Sequence, residues 1–494
     1  MNGKVKGTIA CGIVAAGLAG ALVFLNPKDD NNNAAETSSE IPAAESLVAD
    51  ESVLILEKGA DEIDSVKVTN ENGSYTLKKK NELFRVEELG EISQDDYLTN
   101  GAIDCCGCMD AEKMVEENAS DLEKYGLSNP RGTIEVSYTD GTSAKVEIGD
   151  VAYDENKTYV KTDSSSAVYM MNTATLTHFL EPATVFADLT LIPQPDENSW
   201  PEYGKEVITR NDWDYKAVFE NDPGNNEGIV AAQVMTEPVF AYLNVTGSTD
   251  VTHGMWGLKA SDCILPFPDE ESLKEYGLDE PRCVVELSGE GYDYTLTVGS
   301  QAFDPDIPEG DTPVVLGYYC TLKGAEGCDA VYLIPTESLP WVTFKVEDVL
   351  SNLITANFVV DLKELSVEKN GTKTVYEITS NGSSADETPA ELTKVTQDGK
   401  ELDVQEFKKL FQYIITCPTT EICFDEPSGE PEYIITQTDN EGSTDVIELY
   451  KDSARRYIVK LGGKPSFRIP STWTETLDEN IESLKNGGKI NENY

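Results

Sequence analysis

Short runs in which apolar and polar residues alternate recur along most of this chain, the period-two signature of strands with one buried face. Runs at 53–56 and 65–69, then 75–79 and 83–86 across the turn signal Asn70-Glu71-Asn72-Gly73, predict an antiparallel meander. After Ser93 the period changes to that of a helix, with Asp95 and Asp96 in its first turn, where negative charge suits the macrodipole. Strands are expected again at 112–115, on both sides of Asp140-Gly141, at 158–162 and at 168–171, and 176–189 closes the unit as helix or loop.

A second unit repeats that order and some of its words. Leu122-Glu123-Lys124-Tyr125-Gly126-Leu127-Ser128-Asn129-Pro130-Arg131 returns as Leu273-Lys274-Glu275-Tyr276-Gly277-Leu278-Asp279-Glu280-Pro281-Arg282, and each copy runs into two alternating strands through Ile148-Gly149 or Val298-Gly299. The words fit a helical turn that ends on a left-handed glycine, with the following Leu folded back as in a Schellman motif. Pro130 and Pro281 then prevent further helix. Tyr125, Gly126, Leu127 and Pro130, with Tyr276, Gly277, Leu278 and Pro281, are therefore read as a structural repeat turn. The second unit adds longer loops at 221–228 and 304–313. A third unit keeps the order with a helix at 403–415, but Asp425-Glu426-Pro427, Gly429 and Pro431 replace the turn.

The fold class expected is α+β: an N-terminal transmembrane helix followed by three tandem related modules of mostly antiparallel sheet, each with one or two helices. The modules fall at 52–192, 203–350 and 356–480, with a C-terminal tail at 481–494. Short connections near 192–203 and 350–358 imply a semi-rigid rod.

The first residues suggest a location. Lys4 and Lys6 precede an uncharged run from Thr8 to Leu25, which as a helix covers roughly 27 Å and spans a bilayer. The flanking charges favour an N-in orientation, so an anchor at 1–25 is expected to hold the rest outside the cytoplasm. A cleaved signal peptide ending near Ala19-Gly20-Ala21 is the alternative. Cys11 sits too early for a lipoprotein acceptor. Residues 26–51 have almost no large apolar side chain and read as a flexible acidic linker. Ninety acidic against 38 basic residues give a net charge of -52, which repels phosphate backbones and argues against nucleic acid as a partner.

The strand pair, the helix, Tyr-Gly-Leu-x-x-Pro, the strand ending Ile148-Gly149-Asp150, and the Tyr159-Val160-Lys161 and Val168-Tyr169-Met170 strands resemble the bacterial extracytoplasmic domain-of-unknown-function family 4340, over most of 52–350 and more faintly beyond. The resemblance implies membrane-anchored proteins associated with ABC-type export or gliding-motility-like transport systems. It brings no catalytic residues. This chain departs from the pattern in its second-unit insertions and its eroded third turn.

Searches for chemistry find little. No Gly-x-Ser-x-Gly, His-Glu-x-x-His, P-loop or Gly-x-Gly-x-x-Gly following a strand is present. Cys105-Cys106-Gly107-Cys108 has the spacing of a soft-metal or thiol-exchange pair, yet Cys108, Cys263, Cys417 and Cys423 recur where a helix ends and a strand begins. They read as small apolar residues. Cys320 and Cys328 flank a glycine-containing turn between two expected strands and form a disulfide candidate. Asp304, Asp306, Glu309 and Asp311 read as a solvated acidic loop rather than a calcium site. Trp200, Trp213, Trp256, Trp341 and Trp473 read as core or interface residues rather than a carbohydrate platform. No catalytic, metal-binding or cofactor-binding residue is assigned. The leading expectation is a non-catalytic, membrane-anchored extracytoplasmic scaffold or accessory binding protein of a transport or envelope complex. A solute- or glycan-binding protein using a groove between modules is the alternative, and a carboxylate-based hydrolase a distant one.

Overall fold

Alternation becomes sheet wherever one face of a strand is covered. In Ile63–Asn70 the buried side chains are Ile63, Val66 and Val68, and the partner Gly132–Tyr138 buries Ile134, Val136 and Tyr138. The computed structural model describes residues 52–153, 156–222, 230–308, 310–388, 390–418 and 421–493. The anchor expected at 1–25 and the linker at 26–51 lie outside the described residues, as does most of the 221–228 insertion. Among the described residues no helix is long and apolar enough to cross a membrane.

Three large antiparallel sheets carry almost all the structure. The first runs Leu83–Val86, Gly73–Lys80, Ile63–Asn70, Gly132–Tyr138, Ser143–Val151, Lys157–Thr162, Val168–Asn172, Lys113–Glu116. In the second the order is Ala241–Tyr242, Gln233–Glu237, Lys216–Asn221, Lys205–Arg210, Cys283–Gly289, Tyr292–Phe303, Val315–Lys323, Ala330–Ile334, Asp262–Pro266. The third follows as Lys400–Glu401, Leu392–Gln397, Thr372–Ser380, Leu362–Lys369, Tyr433–Asp439, Thr444–Ser453, Arg456–Leu461, Lys464–Pro470, Glu421–Ile422. All three share one connectivity: a meander, a helix, a strand laid on the far edge, then a four-stranded meander returning to it. The first sheet lacks the two-residue outer strand, and the Gln94 side chain stands in by bonding both the N–H and the C=O of Val86. The short strand Val53–Leu54 is not part of the expected meander; it pairs with Asp110–Ala111 in a separate two-stranded sheet.

The helix of each sheet starts on an Asx residue whose side chain accepts from the first free N–H groups: Asp95 for Asp96–Cys106, Asn244 for Val245–His253, Asp403 for Val404–Ile415. Such a cap is worth about 1 kcal/mol. In the third helix Phe407, Leu410, Phe411 and Ile414 are buried at helical spacing. Residues 176–189 hold only short helical turns, including Thr177–Phe179 and Ala183–Phe186.

Residues 481–485 of the tail expected at 481–494 continue a helix. The helix Ser471–Lys485 buries Trp473, Leu477 and Leu484, and Trp473 stacks on Tyr413 at 5.5 Å. The chain then turns back so that the Ile490 N–H donates to Glu406 at 2.9 Å. The sheets share a continuous buried core that includes Ile192 in the first connection and Ile354 in the second. Backbone bonds cross between them, from Ser93 N–H to Gly327 O at 3.0 Å and from Leu191 N–H to Leu258 O at 2.9 Å.

Candidate ligand groove

The repeated turn is a fastening. Gly126 adopts φ 67° and ψ 12°, and Gly277 has the same φ. The N–H of Leu127 donates to Leu122 O at 3.0 Å and that of Gly126 to Glu123 O at 3.0 Å; Leu278 and Gly277 bond Leu273 and Lys274 in the same way. These are the two bonds of a Schellman motif. Past Pro130 and Pro281, the Arg131 and Arg282 N–H groups donate to Ile148 and Val298 O and open the next strand. The turn carbonyl lies on a strand glycine: a Cβ on Gly149 would sit 2.2 Å from Tyr125 O, and one on Gly299 2.3 Å from Tyr276 O. Tyr125 and Leu127 are buried, and the Tyr125 hydroxyl donates to Glu116 at 2.7 Å. Every polar group named here is used within the fold.

The nine cysteines of the described residues are all free, Cys320 and Cys328 among them. Cys320 stands opposite Tyr332 in the strand register. Cys328 precedes the strand Ala330–Ile334, and its thiol donates to Leu191 O at 3.7 Å. Burial raises the Cys320 and Cys328 thiols, the latter to about 11. Cys263, Cys417 and Cys423 are buried as small apolar residues, whereas Cys108 is exposed at φ 54°. Among the described residues no group of three or more His, Cys, Asp or Glu is placed to hold a metal ion.

The five tryptophans do not converge. Trp341 and Trp473 are fully buried, Trp200 packs on His253 and Trp256 on Tyr292. Trp213 lines a groove of about 790 Å³ where one end of the second sheet meets the edge of the third. From the second sheet come Thr209, the turn residues Trp213, Asp214 and Tyr215, then Lys216, Glu237 and Pro238; from the third come Phe424, Glu426, Lys464 and Pro465. Trp213 stacks on Tyr215 with ring centroids at 4.9 Å and planes 20° apart, and Tyr215 meets Phe424 at 5.5 Å. Phe424 is 54% exposed. This row of rings is held from behind. Arg210 lies over Trp213 at 4.5 Å, pairs with Asp212 through two N–H groups, and donates to Phe344 O at 2.9 Å. The hydrogen bonds from Arg210 hold the Asp212 carboxyl below its ordinary range, and burial raises the Tyr215 hydroxyl. Lys464 donates to Thr236 O at 2.8 Å and Ser466 to Phe240 O at 2.7 Å, so the two walls are bonded together. Concavity, aromatic lining and a few oriented polar groups are the marks of a ligand site.

Sequence reasoning passed over Tyr215 and Phe424. The available signal was Asn211-Asp212-Trp213-Asp214-Tyr215, a turn with two aromatic residues among polar ones. A second feature, Glu206, is fully buried and accepts from Tyr203 at 3.1 Å and from Trp341 Nε1 at 2.9 Å. Burial pushes its carboxyl up to about 8 against the smaller opposing effect of those bonds.

Fold and groove together define a mostly antiparallel β protein with few helices and a solvent-open cleft. A family model described as Domain of unknown function (DUF4340) matches residues 85–199, so this portion is similar to that family over a narrower range than 52–350. No curated protein and no solved structure matches.

Proposed function

We propose that this chain is a non-catalytic, membrane-anchored extracytoplasmic accessory protein of a transport or cell-envelope complex, and that the Trp213 groove is its ligand-holding surface. The observation that carries the reading is the open groove in which Trp213 and Tyr215 stack and exposed Phe424 meets them, between two bonded walls. The membrane assignment draws on the apolar run from Thr8 to Leu25, and the transport association on the family resemblance. A hydrolytic role is less well supported. In the groove Glu426 is exposed and Glu237 half-buried, and they face Lys460 at 3.1 Å and Lys216 at 3.6 Å, whereas a general acid for glycoside cleavage is held protonated in apolar surroundings. A docking role for the same accessory protein is favoured by one hairpin end, where Phe303, Val314, Val315 and Leu316 are all exposed.

The test is a photo-crosslinking amino acid at position 426 of the full chain in its native membrane. The expected result is a specific adduct with an envelope component that disappears when Trp213→Ala is added. Equal labelling with and without that substitution would remove the groove from the account.

A further inference from the structure

We infer that the groove accepts a neutral oligosaccharide, a conclusion that rests on the groove being the ligand-holding surface. Its cations are already engaged. Lys216 faces Glu237 at 3.6 Å, and Lys464 donates to the Thr236 carbonyl at 2.8 Å. An anionic solute would have to displace these partners, and the net charge of -52 repels it at long range. A purely apolar ligand fits no better, because it would cover Asp214, Glu237 and Glu426 without offering them a hydrogen bond.

What remains is a ligand with apolar faces and many hydroxyl groups. A pyranose ring presents C–H faces that pack on aromatic rings, while its equatorial hydroxyls reach sideways to donors and acceptors. Here Trp213 and Tyr215 stack on one another at 4.9 Å and Tyr215 meets Phe424 at 5.5 Å, so the ring that can take a sugar face is Phe424, which is 54% exposed. The polar groups flank these rings in an open groove of about 790 Å³. Neutrality, stacking on Phe424 and an open groove together select a sugar chain over an enclosed solute. The same stacking surface is offered to proline-rich peptides in polyproline conformation. A polyproline segment has no N–H to donate, so it offers the groove's carboxylates no hydrogen bond of its own.

The experiment titrates the purified full chain, in a detergent without a sugar headgroup, with maltohexaose, cellohexaose and chitohexaose. Decaproline and hexagalacturonate serve as comparison ligands. Tryptophan emission and calorimetry provide the readouts. One of the neutral hexasaccharides is expected to bind and to survive 1 M NaCl, with affinity falling at least about tenfold, roughly 1.4 kcal/mol, in Phe424→Ala. Phe424 is exposed, so its removal leaves the fold intact, and unchanged circular dichroism confirms this. Trp200→Ala, outside the groove, is expected to bind normally. Binding of decaproline or hexagalacturonate in place of the neutral sugars, or saccharide binding that ignores Phe424→Ala, overturns the inference. If no hexasaccharide binds while the position-426 adduct still depends on Trp213, the ligand class is wrong and the groove stands. If both fail, the groove reading falls with it.

Discussion

The first two sheets and the third hold the same crossing by different physics. Register aligns Ile148, Val298 and Leu449, each opposite the first residue of the neighbouring strand, Gly132, Cys283 and Tyr433. The next residue is Gly149 in the first sheet, Gly299 in the second and Tyr450 in the third. Where glycine stands, the Tyr-Gly-Leu turn rests its carbonyl on the bare Cα; where Tyr450 stands, there is no such turn. The third crossing is instead held by Arg468, which pairs with Glu421 at 3.1 Å, with Asp452 at 3.4 Å and with Asp425. Turn and strand glycine were retained together or lost together, because each is sterically meaningful only in the presence of the other.

The sharpest way to break that comparison is Gly149→Ala. The new methyl would lie 2.2 Å from a backbone oxygen that has no flexible end to swing away. A loss of about 3 kcal/mol is expected, at the upper range of overpacking, together with a lower urea midpoint. Gly299→Ala should behave alike, and Tyr450→Gly should cost far less. Equal losses at 149 and 450 would show that the turn is not what makes glycine necessary.

A smaller effect tests the core beneath the same strands. The register position of Val66 and Leu365 is occupied in the second sheet by Glu206. Its carboxyl, at about 8 in the folded chain, lies above the ordinary value of about 4.3 expected when unfolded. The folded state therefore keeps a proton that the unfolded state has lost. Stability falls as pH rises from about 4.3 to about 8 and levels off beyond. Glu206→Leu removes that penalty while orphaning Tyr203 as a donor. A net gain of roughly 1–3 kcal/mol at pH 8.5, shrinking towards pH 5, is expected from urea unfolding at both pH values. A gain independent of pH would mean that Glu206 does not carry the proton.

Much of this architecture was legible in the residues. Strand alternation, Asp95 and Asp403 at helix starts, and the glycine of each turn are local signals, decided by neighbours within a few positions. What escaped depends on distant packing. Glu206 follows Lys205 in a strand and reads as solvent-facing, since nothing nearby says that the inward face is at 206 and 208. Ser471–Lys485 opens on Pro470 without an Asx cap and holds three threonines, so its helical propensity is low and burial of Trp473 and Leu477 decides it. Trp213 was visible, but its partner Phe424 lies in another sheet. Whether Cys320 and Cys328 face one another turns on the register of their hairpin, which a sequence does not display.

The smallest effect separates the two ways of holding the crossing most cleanly. Arg468 is largely shielded, and its three carboxylate partners would be left facing one another if it became Met, offset by Arg456 at 2.6 Å from Glu421. The expected loss is about 1 kcal/mol at low salt, because part of each ion pair's attraction is spent on desolvation and side-chain order. Salt should shrink it. At 1 M the screening length is about 3 Å, so both the lost attraction and the new repulsion fade, and Arg468→Met should approach the parent protein. The steric clash in Gly149→Ala has no charge to screen and should cost the same at any ionic strength. Urea midpoints for both variants at 0.05 M and 1 M NaCl thus give two slopes. If the slopes matched, the third crossing would be fastened by packing like the others, and the contrast between glycine and arginine would be one of sequence alone.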